Sequence, residues 1–142
     1  MSWTVAGIRS GLATRLATVT GLVTVYDKWP SVPVVPSALI GFATDNPVDY
    51  DDSVDEAATL RLVVTVLVQK GEENIAQTTI DGFIDPSGAA SIRAACNAGK
   101  SAGVWDYVVT KGAARYGLYE FGTGETKMMY LGIEFNLEVG VS

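Results

Sequence analysis

At 142 residues with a formal net charge of −6, the chain has the size of one domain, residues 1–142. It is long enough to bury roughly 70% of the surface its unfolded form exposes. Hydrophobic residues make up 48% and charged residues 18%, the balance of a globular protein rather than a disordered one. With no histidine and a single cysteine, an intrachain disulfide, an imidazole-activated nucleophile and an ordinary one-chain zinc site are excluded. The acidic balance argues against a protein built to grip nucleic acid phosphates.

Val5, Ile8, Leu12, Leu16 and Val19 recur at helical spacing, which predicts a helix over 3–18 with Arg9, Ser10 and Thr14 turned outward. Gly21 is its expected terminator. Arg9 and Arg15 interrupt any secretory-type apolar core. Residues 1–26 hold no acid and so faintly resemble an organellar transit peptide, but the segment also reads well as a folded helix, and a cytoplasmically made protein is the plainer expectation. A short strand over 23–26 is followed by the connector Trp29-Pro30 and Ser31-Val32-Pro33-Val34-Val35-Pro36, stiff because each proline fixes its φ and removes a donor. A second strand is expected over 38–43.

Residues 45–56 carry Asp45, Asp49, Asp51, Asp52, Asp55 and Glu56 and read as an acidic loop. Leu60, Leu62, Val64, Val66 and Val68 alternate on one strand face. Val63 and Leu67 on the other face mark the strand as central. After Lys70-Gly71, the residues Ile75, Thr79, Ile80, Phe83 and Ile84 predict a helix, with Glu72 and Glu73 at its positive end. Asp85 as N-cap with Pro86 at the first helical position predicts a second short helix, ended by Gly99. Cys96 reads there as a small buried apolar residue. Strands are expected over 104–110 and 114–121, then a turn at Gly122-Thr123-Gly124. In the final strand, Met129 to Val141, odd positions are apolar and even positions mostly polar. The order predicts an α+β fold: a mostly antiparallel sheet, with the N-terminal helix and a central helix pair packed on one face.

The candidate chemical motifs are weak. Gly99-Lys100-Ser101 has the ending of a phosphate-binding loop, but Ala94 stands where the first glycine belongs and a helix precedes it. Gly122-Thr123-Gly124-Glu125-Thr126-Lys127 lacks the third glycine of a dinucleotide fingerprint and reads as a hairpin loop, a good place to touch a partner. A calcium loop starting at Asp49 would need glycine at 54 and glutamate at 60, where Val54 and Leu60 stand. That leaves a solvated loop, weak divalent binding, or a loop ordered against a neighbouring subunit with Tyr50 as anchor. Glu134 and Glu138 share a strand face roughly 13 Å apart, wide for a glycosidase pair at about 5–10 Å. No catalytic, cofactor or metal residues are assigned. Trp3, Trp29, Trp105, Tyr107, Tyr116, Tyr119 and Tyr130 supply more aromatic surface than the strand faces need, so some are candidate interface anchors. The partner-interface candidates are Trp29, Asp49, Tyr50, Asp51, Asp52, Thr123 and Glu125.

Over nearly its whole length the chain resembles the tail terminator proteins of long-tailed bacteriophages, especially those of actinobacterial hosts. The resemblance runs through Ile8-Arg9-Ser10-Gly11-Leu12-Ala13, Leu16, Gly21-Leu22-Val23, Val25-Tyr26, Val34-Val35 and Leu62-Val63-Val64-Thr65-Val66-Leu67-Val68. It includes the helix ending Ile80-Asp81 and is sharpest at Asp85-Pro86-Ser87-Gly88 followed by Ser91-Ile92-Arg93-Ala94-Ala95. It closes on Tyr116-Gly117 and Tyr130-Leu131-Gly132-Ile133-Glu134-Phe135. These are turn and packing signatures, not catalytic ones. The resemblance implies a virion structural protein, not an enzyme. It would form a homohexameric ring that caps the tail tube at the head–tail junction, ends tail elongation and offers a docking surface to head-completion (stopper) proteins. DNA would pass through its lumen without specific binding, and six copies at −6 each would carry about −36, which discourages sticking. Two alternatives stand beside it: another head–tail connector or minor tail subunit, and a small-ligand-binding domain that uses the acidic loop over the sheet.

Overall fold

The computed structural model describes residues 3–51, 57–71, 73–122 and 127–142. The elements in chain order are α1 (Val5–Leu16), β1 (Thr24–Tyr26), β2 (Ser37–Phe42), β3 (Val48–Tyr50), β4 (Ala58–Gln69), α2 (Glu73–Ile84), α3 (Ile92–Cys96), β5 (Tyr107–Phe121) and β6 (Met128–Val141). The fold mixes helices with a six-stranded sheet. Its path is β1-β2-β4-β6-β5, with β3 in line with β2 on the same side of β4. All pairings are antiparallel except β1 with β2, which is parallel.

The alternation of β4 and β6 sets the core. Leu62 pairs with Leu137, Val64 with Phe135 and Val66 with Ile133, so the apolar residues of both strands share one side. They form one buried cluster with Ile8, Leu12 and Leu16 of α1, Ala76, Ile80 and Phe83 of α2, and Ile92 and Cys96 of α3. This side is the core face of the sheet. On the other, open face a smaller buried cluster joins Leu39, Leu67, Tyr119, Phe121 and Tyr130. Trp29 from the proline-rich connector stacks on Phe121 with ring centroids 5.6 Å apart, and its indole lies against Gly41 of β2. The connector therefore ties β2 to the far end of β5.

Several sequence expectations need correction. The first helix spans Val5–Leu16, shorter than 3–18. Thr4 caps it, its hydroxyl accepting from the Gly7 N–H at 3.0 Å, and the helix ends well before Gly21. Arg9 is not wholly outward. It is half-buried, lies over the Phe42 ring and donates to the Asp27 carbonyl at 2.8 Å. The 45–56 segment is not all loop, because Val48–Tyr50 pairs with β4. Asp85-Pro86 does not start a helix. Residues 85–90 make turns and Ser91 is the N-cap of α3, accepting from the Ala94 N–H and donating to the Asp85 carbonyl. That helix stops at Cys96 with Asn97 as its cap, not at Gly99. The two strands expected over 104–121 are one, β5, interrupted by irregularities at Lys111 and Ala114. Val104 and Trp105 precede it in a turn closed by the Ser101–Trp105 bridge.

Candidate interaction surface

The open face of β5 and β6 is built on two tyrosine–glycine–glutamate sets. Tyr107 pairs directly with Gly140, and its ring fills the space where a Cβ at Gly140 would stand. Its hydroxyl donates to Glu138 Oε2 at 3.0 Å. Tyr119 pairs with Tyr130, leans over Gly132, and donates to Glu134 Oε2 at 2.5 Å. Arg115 lies over the Tyr119 ring, 4.4 Å from its centroid, and pairs with the same Glu134 oxygen at 3.4 Å. The even positions of β6, which looked like a plain solvated face, thus alternate glycine slots with tyrosine-bound carboxylates around Asn136. Burial first, and then the hydrogen bond and negative charge of the glutamate, push both tyrosine hydroxyls above their ordinary pKa.

Beside this face lies an open cleft of about 410 Å³ with Trp29, Val63, Thr65, Glu134 and Asn136 in its lining. The Gly99-Lys100-Ser101 segment is a turn held by Trp105, whose indole N–H donates to the Gly99 carbonyl at 3.0 Å, so it is not shaped as a phosphate loop. Leu60, at the last ligand position of the tested calcium loop, is fully buried inside β4. Among the described residues no three Cys, Asp or Glu side chains gather to hold a metal ion, and no helix is long and apolar enough to cross a membrane.

Of the interface candidates, Asp49, Tyr50 and Asp51 fall together on and just after β3. Asp49 faces the open side and pairs with Arg61 at 3.2 Å. Tyr50 faces the other way and is 73% exposed. The Asp51 N–H donates to the Ala57 carbonyl at 2.9 Å, closing the ladder. Trp29 sits apart on the connector against Phe121, yet remains half exposed. Asp52, Thr123 and Glu125 lie outside the described residues.

Sequence reasoning did not single out the outer edge of β5. Among the described residues only Ala98 pairs with that edge, at Val108, and the Asn97 side chain accepts from the Thr110 N–H at 2.7 Å. Beyond Lys111 no strand among the described residues lies beside it. Tyr116 and Leu118 are exposed there on the core-face side, past the cover of the helices. A long edge strand with exposed apolar side chains is a template for pairing with another chain. The available signal was the alternation of Tyr116 and Leu118 with Arg115, Gly117 and Tyr119, but it does not say which strand ends the sheet. No protein-family model matches the chain, and no curated protein matches its sequence.

Proposed function

We propose that this protein is a ring-forming subunit of a phage head–tail junction: a tail terminator that caps the tail tube, stops its growth and presents a surface to head-completion proteins. It acts by assembly rather than by catalysis. The single observation that carries the reading is the outer edge of β5 beyond Lys111, which no strand among the described residues pairs with, and the exposed Tyr116 and Leu118 beside it, a surface suited to subunit contact. The whole-chain resemblance supports it, as does the acidic charge, since a ring of like-charged subunits lets DNA pass without adhering. In this reading the N-terminal helix and the central helix pair form one layer on the core face and stiffen each subunit of the ring. The protein is made in the host cytoplasm and resides in the virion at the head–tail junction.

The experiment is native mass measurement with negative-stain imaging across protein concentration and added magnesium, alone and with assembled tail tubes. Ring-shaped hexamers, free or on tube ends, are expected. Tails that reach normal length and join heads without this protein would sink the reading. The cleft beside Trp29, Glu134 and Asn136 favours a second reading, a small-ligand site, which a thermal-shift screen with metabolites would reveal as a saturable stabilisation.

A further inference from the structure

We infer that β3 of one copy adds to the outer edge of β5 of the next, antiparallel, so that copies join head to tail into one continuous sheet. The inference rests on the ring reading and specifies its contact.

The two strands lie at opposite edges of the sheet, and each lacks a neighbour on its outer side among the described residues, apart from the short Ala98 contact at Val108. β3 and β6 are both antiparallel to β4, and β5 is antiparallel to β6. β3 therefore runs opposite to β5. A head-to-tail copy that keeps strand directions brings the two edges together as an antiparallel pair without flipping the sheet.

Their side chains match face by face. On the core-face side, β3 carries Val48 and Tyr50, paired with Leu60 and Ala58. On the same side, β5 carries Tyr116 and Leu118, paired with Ile133 and Leu131. Tyr50, Tyr116 and Leu118 are all exposed in the single chain, and edge pairing would place aromatic and aliphatic groups in cross-strand contact. On the open-face side, β3 presents Asp49, with Asp51 following it in alternation, whereas β5 presents Arg115. Asp49 is held within the chain by Arg61 and Asn46, and Arg115 by Glu134 and the Tyr119 ring, yet both side chains keep more than half their surface in solvent. In the register that sets Tyr50 opposite Tyr116 and Val48 opposite Leu118, Arg115 falls opposite Asp51 and diagonal to Asp49, so apolar meets apolar and acid meets base, and a slip of one residue would destroy both matches. Because the two patches are different, the contact is heterologous; it yields rings when the rotation closes, not two-fold dimers.

Cross-linking between single-cysteine additions tests this, since the native Cys96 is buried and does not compete. Chains carrying Tyr50→Cys are mixed with chains carrying Tyr116→Cys and oxidised mildly, in solution and on assembled tail tubes. The expected result is a disulfide-linked pair in the mixture, absent when either variant is oxidised alone. Tyr116→Cys chains linking to one another would show a two-fold β5–β5 contact and overturn the inference. Rings that form without any cross-link would overturn it too and leave the ring reading standing, whereas monomers throughout would end both. Adding Asp51→Lys or Arg115→Glu to one partner should lower the cross-linked yield about fivefold, and adding both, one to each partner, should restore it. Loss without restoration would remove the charge match from the contact.

Discussion

The Tyr119 ring lies across Gly132, and its hydroxyl continues to Glu134, 2.5 Å away, two residues further along the same strand. One side chain thereby covers bare backbone and satisfies a carboxylate. At the other end of the hairpin Tyr107 does the same with Gly140 and Glu138. A ring laid over a cross-strand glycine restores the packing that glycine lacks and pins register. A Cβ at Gly132 would come within 2.7 Å of Leu67 and 2.8 Å of the Tyr119 ring, both in the buried open-face cluster. Gly132→Ala should therefore cost about 1–3 kcal/mol through overpacking. Gly140→Ala would clash with Tyr107, which is partly exposed and can swing outward, so it should cost less. Chemical denaturation of the two variants checks the order, and equal losses would contradict it.

Removing the hydroxyl of Tyr119 isolates the bond to Glu134. Tyr119→Phe should destabilise the protein by roughly 1 kcal/mol, because Arg115 still pairs with the carboxylate. The pH dependence has a definite sign. The folded-state pKa of Tyr119 is raised above its ordinary 10.0 by burial, then by the Glu134 hydrogen bond and charge. Its contribution is whole below pH 10.0 and drains away as pH rises beyond that, where the unfolded chain gives up the proton first. Alkaline melting curves should fall more steeply for the parent protein than for Tyr119→Phe.

Phe135 stands at the centre of the core face opposite Val64 and is almost wholly buried. Phe135→Ala should cost about 3–5 kcal/mol, the usual range for an aromatic cavity in a packed core. A large drop in melting temperature is expected, and an unchanged one would contradict the burial of that face.

Ser91 is fully buried and links the 85–90 turn to α3 by accepting from the Ala94 N–H and donating to the Asp85 carbonyl. Ser91→Ala loses the cap and leaves the Asp85 carbonyl without that donor, for about 1–2 kcal/mol. Ser91→Thr keeps the oxygen and should recover part of the loss, measured by thermal melting.

Burial pushes the Cys96 thiol up to about 12, only partly countered by Arg15. In the native protein a thiol reagent at about pH 8 should therefore leave Cys96 unmodified, and denaturant should expose it to rapid labelling. Fast labelling of the native chain would contradict the packing of α3 on the sheet.

The alternation of β4 and β6 was legible in the sequence because strand side chains repeat with period two and the core needs one apolar side; Leu62 to Val68 and Met129 to Val141 follow that rule. The helices at α1 and α2 were legible for the matching reason at helical period. Proline at 86 misled, because a good first helical residue also serves a turn, and the buried Ser91 provided the cap. Trp29 and Tyr50 were identifiable as candidate interface aromatics, but only the fold put Trp29 on Phe121 and Tyr50 on an outer strand edge. The tyrosine–glycine–glutamate sets were hidden for a specific reason. The irregularities at Lys111 and Ala114 shift the register between β5 and β6, so Tyr107 meets Gly140 while Tyr119 meets Tyr130. Sequence by itself determined which residues go inside, since burial follows local period and apolarity. Which strand ends the sheet, and which side chains meet across it, was decided only by long-range pairing, because cross-strand register depends on bulges that no local pattern encodes.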